Sequence, residues 1–309
     1  MARYLTLATC QTGPIQRSAS RSETVDRLIA MLERAADAKA ELAVFPELAL
    51  TTFFPRWRIE DPAEIDAFYE QSMPGPQTQR IYDAARKLKI GFALGYAELV
   101  REGNQNRRYN TTDLVGPDGR FIGRYRKIHL PGSEKPEAGM TLTLERLYFE
   151  PGDLGFPVFD YAGVRVGLAI CNDRRWPETY RMLCLNGAEV VLIGYNTPSM
   201  LDEAPELDHL RVFHSQLAMQ AGAYQNTVWI AAAAKAGFED GQMQIGGSCI
   251  IAPTGEIAAR TISMEDEVIV HRANLDLIAT CQKVNFDFAR YRRPDQYRLI
   301  SELAGPVRA

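Results

Sequence analysis

Short apolar segments rich in β-branched and aromatic residues alternate with segments of helical periodicity, and this alternation limits the chain to layered α/β or α+β folds. Buried strands are predicted at 42–45, 164–170, 190–193 and 227–233. Segment 22–40 places apolar side chains at the spacing of one helix face, which predicts a helix packed against a sheet. We therefore expect a core built on β-sheets and covered by helices.

Turn-forming residues and prolines predict the remaining elements. Gly-Pro-Asp-Gly at 116–119 is typical of a hairpin turn, and it joins strands expected at 109–115 and 121–125. Pro177 is expected in the first turn of a helix, because proline is favoured there. Further helices are predicted at 76–88 and 207–224, and further strands at 4–8, 90–97, 248–252 and 268–274.

The 309 residues show no shift in composition that would mark a boundary between domains. We therefore predict one domain over 1–309. The tail from about 285 to 309 is polar and irregular, so it is expected to form a C-terminal arm rather than part of the core.

Composition excludes several classes of function. The net charge of -4, with basic residues mixed among acidic ones, provides no basic surface for nucleic acid and no polybasic anchor for a membrane. No secretory signal or bilayer-spanning run is recognisable. Five scattered cysteines favour a reduced, cytoplasmic protein. Phosphate-binding loops and metal-ligand spacings are missing, so neither a cofactor nor a metal is predicted.

Three polar residues stand where predicted strands end, and together they supply a nucleophile with its activating groups. They are Glu47, Lys127 and Cys171. A cysteine attacks an acyl carbon as thiolate, which requires a base and a nearby positive charge. Taken singly, the three residues are equally typical of a loop glutamate, a hydrated lysine and a buried structural thiol.

The segments around these residues resemble the three signature segments of the nitrilase superfamily, the carbon-nitrogen hydrolases. They are FPELALTTFFP, YRKIHLPG and CNDRRWPE, in this order. The similarity extends over nearly the whole chain and is closest to N-carbamoyl-D-amino acid amidohydrolases, through FPRW, GYAELV, LYFEPGDLGFPV, GYNTP, MQAGAYQN and IIAPTGEI. This resemblance implies an α+β fold, a four-layer αββα sandwich that associates into an αββα-αββα dimer, and often a tetramer.

The resemblance also implies roles for individual residues. Glu47 would be the general base, Cys171 the nucleophile, and Lys127 the group that stabilises the tetrahedral intermediate. Glu145 matches a second carboxylate beside the lysine, although its sequence context is equally typical of a structural ion pair. The backbone N–H of Asn172 would join Lys127 in binding the oxyanion.

Two adjacent arginines, Arg174 and Arg175, follow the predicted nucleophile and could clamp a substrate carboxylate through forked hydrogen bonds. A structural ion pair with Asp173 or Glu178 is the alternative. Adjacent residues on one turn seldom both face a ligand. We expect one arginine to bind carboxylate and the other to support the site, and the resemblance favours Arg174 as the direct contact.

Three more residues match substrate-binding positions of the amidohydrolases. Asn196 and Thr197 would lie near the substrate carboxylate and amide, although this pair is also common in turns before proline. His129 would lie near the ureido end, although a structural histidine is the more frequent use of such a position. The resemblance is interrupted at 133–144, where Thr143 falls in place of a histidine at the pocket mouth.

These observations predict a hydrolase that converts N-carbamoyl-D-amino acids to the D-amino acid, CO2 and ammonia through a Cys171 thioester. Its partner would be a small ureido or amide substrate with a carboxylate, and the protein would be a homodimer or homotetramer. The alternatives are an amidohydrolase of the same superfamily acting on another ureido compound or small aliphatic amide, and a binding or scaffold member without turnover.

Overall fold

The computed structural model describes residues 2–103 and 105–306, and within them the chain forms fifteen strands and nine α-helices. The strands are β1 (Tyr4–Gln11), β2 (Leu42–Val44), β3 (Tyr69–Glu70), β4 (Gly91–Glu102), β5 (Gln105–Val115), β6 (Phe121–Arg126), β7 (Val158–Tyr161), β8 (Val164–Ile170), β9 (Val190–Tyr195), β10 (Trp229–Ala234), β11 (Ala236–Glu239), β12 (Gln242–Ile245), β13 (Cys249–Ile251), β14 (Ile257–Arg260) and β15 (Glu267–Asn274). The helices are α1 (Arg21–Asp37), α2 (Pro62–Asp66), α3 (Gln79–Leu88), α4 (Glu145–Tyr148), α5 (Pro177–Leu185), α6 (Arg211–Asn226), α7 (Asp276–Val284), α8 (Phe288–Tyr291) and α9 (Arg298–Glu302).

Thirteen of the strands form two large mixed sheets, and β11 and β12 form a separate two-stranded sheet. The first has the order β15-β1-β2-β4-β5-β6, with β3 also paired to β4, and the second has the order β14-β13-β10-β9-β8-β7. In each sheet the central strands are parallel and the outer ones are antiparallel. Parallel strands end at the same edge of a sheet, which is where open sheets collect functional side chains. Because β2, β8 and β9 are parallel to their neighbours, the loops that follow them lie at these edges.

Side-chain alternation along β1 shows how the layers pack. Leu5 and Leu7 belong to the apolar core shared with the second sheet and helices α5 and α6. Ala8 and Cys10 belong to the core shared with α1 and α3. Because successive strand residues face opposite sides, each sheet is covered on both faces. The layer order is helices, sheet, sheet, helices, which confirms the predicted α+β sandwich.

Helix α1 begins at a reciprocal cap that its sequence encodes. The Ser20 hydroxyl accepts a hydrogen bond from the Glu23 N–H at 3.2 Å, and the Glu23 carboxylate accepts one from the Ser20 N–H at 2.9 Å. This capping box satisfies two N–H groups at the helix start. The face that carries Val25, Leu28 and Leu32 is buried, so α1 closes the outer side of the first sheet.

Several local predictions differ from the structure. The helix expected at 207–224 is a 3₁₀ helix over Pro205–Leu210, in which no residue is buried, followed by α6. The helix expected at 76–88 begins only at Gln79. Strands β7, β11, β12 and β14 were not predicted, since four residues give too short a pattern to recognise.

The C-terminal segment follows α7 and contains the short helices α8 and α9, in which no residue is buried. Of the predicted arm at 285–309, residues 307–309 lie outside the described residues, as do Met1 and Asn104. The single domain over 1–309 thus stays a prediction. No helix in the described part of the chain combines the length and apolar character needed to cross a bilayer.

Candidate active site

Glu47 lies between the two sheets, three residues after the end of β2. Gly95 of β4 and Gly194 of β9 face its backbone from opposite sheets. A Cβ atom at Gly95 would lie 2.6 Å from the Pro46 carbonyl oxygen, and one at Gly194 would lie 2.7 Å from the Glu47 nitrogen. Such distances are impossible in a packed interior. Glycine at both positions therefore lets the Pro46-Glu47 peptide enter the space between the sheets.

Glu47, Lys127 and Glu145 form a buried carboxylate–ammonium cluster. The Lys127 ammonium donates to Glu47 Oε1 at 2.7 Å and to Glu145 Oε2 at 2.5 Å. Asn110 Nδ2 also donates to Glu47 Oε1, at 2.7 Å, and the Asn196 N–H donates to Glu47 Oε2 at 3.1 Å. All three charged side chains are at most 1% exposed. The cluster is thus held in place by hydrogen bonds from several elements.

Cys171 follows β8 directly and is the first residue of a 3₁₀ helix over Cys171–Arg175. Its φ of +47° is unusual for a residue with a side chain, and its thiol donates to the Asn196 carbonyl oxygen at 3.0 Å. The first N–H groups of a helix have no partner within it. Asn172 is the second residue here, so its N–H has no partner within the helix, and its role in binding an oxyanion stays a prediction.

The carboxylate of Asp173 holds this sharp turn together. Asp173 Oδ2 accepts hydrogen bonds from the Ile170 N–H at 3.0 Å and the Tyr125 hydroxyl at 2.9 Å. Asp173 Oδ1 accepts one from the His129 N–H at 3.0 Å. Sequence reasoning considered Asp173 only as an ion-pair partner for an arginine. Its position two residues beyond the nucleophile, in a turn that needs its N–H groups satisfied, is the signal that could have identified it.

The protonation states of the site follow from burial and from its charges. Burial, then the negative charge of Glu47, raises the pKa of Cys171 to about 11, against the opposing effects of Lys127 and Arg174. Burial likewise raises the pKa of Glu145 to about 7, against the attraction of Lys127. Burial alone would lower the pKa of Lys127, but the surrounding negative charges raise it. At neutral pH the thiol is protonated, so a base must accept its proton before or during attack.

Arg174 is fully buried, and its guanidinium is committed to the protein. It donates to the Cys171 carbonyl oxygen at 2.7 Å, to Thr197 Oγ1 at 2.7 Å and to Ser215 Oγ at 3.2 Å. It also lies 4.3 Å from the centroid of the Tyr195 ring. These contacts fix Arg174 as a support for the Cys171 turn and for Thr197.

Arg175 is placed differently. Among residues 2–103 and 105–306, its side chain makes no hydrogen bond and forms no ion pair, and it lines the cavity that contains Cys171. Burial, then the positive charges of Arg174 and Arg211, lowers its pKa to about 10. The predicted contact of Arg174 with a substrate carboxylate stays a prediction, but these contacts favour the opposite division of roles. Arg174 supports the site, and Arg175 has the donors left for a ligand. The alternative, ion pairs with neighbouring carboxylates, is not observed for either arginine in the described residues.

Asn196 and Thr197 follow β9 and line the cavity. Asn196 Nδ2 donates to the Glu47 carbonyl oxygen at 3.1 Å. Its Oδ1 is buried without a hydrogen-bond partner among the described residues, so it can accept a bond from a ligand N–H. The Thr197 hydroxyl donates to the Asn196 carbonyl oxygen at 2.8 Å while accepting from Arg174. The structure therefore places both residues on the cavity, and their contacts with a substrate stay a prediction.

His129 is not placed as predicted. Its Nδ1 lies 2.7 Å from Asp173 Oδ1, and its ring stacks on Trp176 with centroids 5.0 Å apart. It does not line the cavity, and its carbonyl oxygen accepts from Asn172 Nδ2 at 3.1 Å. The substrate contact of His129 thus stays a prediction, and this geometry does not support it. His129 takes the structural role that was its alternative, because Asp173 holds it behind the Cys171 turn.

The cavity above Cys171 has a volume of about 540 Å³ and is lined by the 3₁₀ helix that begins at Cys171, by the loops after β6 and β9, and by strand β12. Segment 133–144 closes one side: Thr143 lines the cavity, and the Thr141 N–H donates to Glu203 Oε2 at 2.9 Å across the mouth. The lining residues that the sequence analysis did not identify include Phe53, Arg211, Gln242 and Gln244. Gln242 and Gln244 are two residues apart in β12, and this spacing, which places both side chains on one face of a strand, is the signal that could have identified them. In the described ranges, no group of three or more His, Cys, Asp or Glu residues could hold a metal ion.

Comparisons with known proteins were made over the whole chain. The sequence matches the family described as carbon-nitrogen hydrolase over residues 6–283. A nitrilase of Pyrococcus abyssi is 33% identical over 269 residues, which cover 86% of this chain and 90% of that protein. The N-carbamoylputrescine amidase of Solanum tuberosum is 30% identical over 316 residues, which cover 98% and 97%. The crystal structure of a carbon-nitrogen hydrolase from Helicobacter pylori superposes with a TM-score of 0.83 at 22% identity, covering 97% of this chain and 99% of that one.

Proposed function

The chain belongs to the carbon-nitrogen hydrolase family of the nitrilase superfamily, and on this premise we propose that it hydrolyses N-carbamoyl-D-amino acids through a thioester on Cys171. The premise establishes a hydrolase of C–N bonds in small amide or ureido compounds. The proposal adds the carbamoyl group, the carboxylate and the D configuration. The resemblance of CNDRRWPE and GYNTP to the D-specific amidohydrolases supports the configuration.

The observation that carries the proposal is the unengaged guanidinium of Arg175 in the cavity of the nucleophile. A partly buried cation without a partner loses hydration without compensation, and a substrate carboxylate would supply a partner. The ammonium of a carbamoyl diamine would instead add a positive charge beside Arg175. This argument favours an acidic substrate over N-carbamoylputrescine, the compound in the name of the relative from Solanum tuberosum.

In the proposed first step, Cys171 Sγ attacks the carbamoyl carbon while Glu47 accepts the thiol proton. The developing oxyanion is met by the Lys127 ammonium and the Asn172 N–H. Glu47 then returns the proton to the departing nitrogen, and ammonia leaves. A carbamoyl thioester remains on Cys171. The unpartnered Oδ1 of Asn196 would accept a hydrogen bond from a ureido N–H and hold the carbamoyl plane in place.

In the second step, Glu47 removes a proton from water, which attacks the thioester carbon. The tetrahedral intermediate collapses as the C–S bond breaks, and Glu47 returns the proton to the Cys171 thiolate. The released carbamic acid decomposes to CO2 and the free amino acid. Glu145 remains next to Lys127 throughout. Its proposed role is to hold the ammonium in place, because the lysine would otherwise have a single carboxylate partner.

The alternative is another ureido compound or a small aliphatic amide, and the name of the Solanum tuberosum relative favours this reading over a scaffold without turnover. The segment at 133–144, which departs from the amidohydrolase pattern, forms one side of the cavity mouth. A different substrate would be admitted there without any change to the chemistry at Cys171.

Ammonia release from a matched panel tests the proposal. The panel contains N-carbamoyl-D- and L-amino acids, their decarboxylated ureas and simple amides, with Cys171→Ala as blank. We expect turnover of the carboxylate-bearing D compounds. Activity on ureas or amides alone would keep the chemistry and reject the substrate, whereas no Cys171-dependent turnover would favour the scaffold alternative.

We also propose that the protein is a homodimer or homotetramer, as the resemblance to the amidohydrolases implies. The outer faces of α5 and α6 expose Met182, Phe213 and Leu217, which a second copy would cover. Light scattering should give a mass of two or four chains, and Phe213→Glu with Leu217→Glu should lower it. A monomeric wild-type protein would reject this proposal.

A further inference from the structure

A second cation of the cavity, Arg211, is left without a carboxylate partner. Arg211 is the first residue of α6, and its Nε donates to the Pro198 carbonyl oxygen at 3.2 Å. In residues 2–103 and 105–306, no carboxylate oxygen lies within 4.0 Å of its nitrogens, so its terminal N–H groups are available to a ligand. With Arg174 and Arg175 it forms a guanidinium cluster on the cavity wall.

The carboxylates nearest to Arg211 are already engaged or hydrated. Glu203 accepts the Thr141 N–H at 2.9 Å, and Asp208 accepts the Leu201 N–H at 2.8 Å. Glu137, which also lines the mouth, is exposed to solvent. Glu145 is paired with Lys127 inside the carboxylate–ammonium cluster. The guanidinium cluster therefore has two cations, Arg175 and Arg211, that no protein carboxylate neutralises at contact distance.

A polar side chain with an unused acceptor lies on the same cavity. Gln244 is 1% exposed, and its Oε1 has no hydrogen-bond partner among the described residues. Its Nε2 makes only a long contact of 3.4 Å with Gln242 Oε1, the neighbouring lining residue of β12. A buried amide with this much unused hydrogen-bonding capacity is expected where a polar ligand group, or water in its place, completes the site.

We propose that Arg175 and Arg211 bind two different acidic groups, so that the substrate is an N-carbamoyl amino acid with a carboxylate in its side chain. This inference rests on the proposed function and specifies its substrate class. Arg175, adjacent to the Cys171 turn, binds the α-carboxylate. Arg211 binds the side-chain carboxylate, to which the weakly engaged Nε2 of Gln244 can also donate, while water satisfies Gln244 Oε1.

The size of the cavity agrees with a substrate that extends beyond its α-carboxylate. Its volume of about 540 Å³ falls within the range of about 300–1,000 Å³ that ligand sites of drug-sized molecules occupy. A carbamoyl amino acid with a very small side chain would leave much of this space to water. An acidic side chain would instead reach the wall where Arg211 lies.

The test compares substrates of matched shape. N-carbamoyl-aspartate and N-carbamoyl-leucine differ mainly in two oxygens replacing two methyl groups, and both would be supplied as D and L forms, with amino acid release as the readout. We expect kcat/KM to favour the aspartate derivative by about 10–100-fold, as for a charge-assisted hydrogen bond. Arg211→Gln should remove this preference, and Arg211→Lys should retain part of it. Arg120→Gln, at an exposed hairpin turn, is the matched control and should retain all of it.

Two results would overturn the inference. The wild-type protein could prefer the leucine derivative, or Arg211→Gln could lower kcat/KM equally for both substrates, which would mean that both arginines hold one carboxylate. Failure of the proposed function is distinguishable, because no carbamoyl compound would then be hydrolysed. In that case calorimetry with Cys171→Ala still decides the inference: N-carbamoyl-aspartate should bind about 10–100-fold more tightly than N-carbamoyl-leucine, and equal affinities would reject it.

Discussion

The two charged clusters of the site differ in how their charges are balanced. In the carboxylate–ammonium cluster, Lys127 contacts two carboxylates at 2.5 and 2.7 Å, and all three groups are buried. In the guanidinium cluster, Arg175 and Arg211 contact no carboxylate of the described residues. The first cluster is complete without a ligand, and the second is not. Groups that act on the reacting atoms are best fixed in advance, whereas groups that recognise a substrate keep their donors for it.

Removing Lys127 tests the balanced cluster most severely. Lys127→Met leaves two buried carboxylates without a counter-charge, so we expect the free energy of unfolding to fall by about 3–5 kcal/mol. Loss of the ammonium at the oxyanion should lower kcat by at least about 10²-fold. Urea denaturation and ammonia release measure the two effects. Lys87→Met, on the exposed face of α3, is the matched control and should change neither quantity. A Lys127→Met protein as stable as the wild type would show that Glu47 and Glu145 do not need the charge of Lys127.

Titration of Glu145 should be visible in stability. Its pKa is raised from 4.5 to about 7 in the folded protein, so the folded state holds this proton more tightly than the unfolded chain. The resulting stabilisation is complete below pH 4.5 and is lost as pH rises to about 7. We expect the unfolding free energy of the wild type to fall over this interval by on the order of 3 kcal/mol more than that of Glu145→Gln. Parallel curves for the two proteins would contradict the assignment.

Removing Arg175 should weaken substrate binding without lowering the free energy of unfolding. Arg175→Met deletes a cation that has no protein partner, so the unfolding free energy should be unchanged or higher. KM for carboxylate-bearing substrates should rise by about 10–100-fold, since a charged hydrogen bond contributes about 1.5–3 kcal/mol. The comparison is Arg174→Met, which removes donors to Cys171 and Thr197 and should destabilise the fold. If Arg175→Met were the less stable of the two, the reversal of roles would be wrong.

A substitution at Gly194 should disturb the carboxylate–ammonium cluster and leave the guanidinium cluster unchanged. Gly194→Ala places a Cβ 2.7 Å from the Glu47 nitrogen, and overpacking of this kind costs about 1–3 kcal/mol. We expect kcat to fall because Glu47 moves, while KM for the carboxylate changes little. Gly305→Ala, where nothing lies within 4 Å, is the matched control. A selective rise in KM would show that the two clusters are not independent.

The sequence predicted the elements that place the chemistry and the residues at their ends. Glu47, Lys127 and Cys171 follow buried strands whose period is visible in the sequence, and the structure brings them together with Glu145. The four-layer sandwich was likewise predicted, through the resemblance of the signature segments. These features depend on local patterns, which a single sequence contains.

What the sequence did not predict depends on contacts between distant segments. Nothing near Gly194 indicates that it faces Glu47, and nothing near Arg211 indicates that it lies beside Arg175. The contacts that distinguish the two adjacent arginines could not be predicted for the same reason. Ser215 of α6, 41 residues further along the chain, accepts from Arg174 and leaves Arg175 to the cavity.

The Pro46-Glu47 peptide, enclosed by Gly95 and Gly194, also has a consequence for engineering. Larger side chains in the core between the sheets would push the sheets apart and carry the general base away from the thiol, even in a variant that melts at a higher temperature. The core between the first sheet and helices α1 and α3 lies on the far side of that sheet and is free of this restriction. A library selected for heat resistance and activity together should therefore accumulate its substitutions under the helices, and remain unchanged between the sheets.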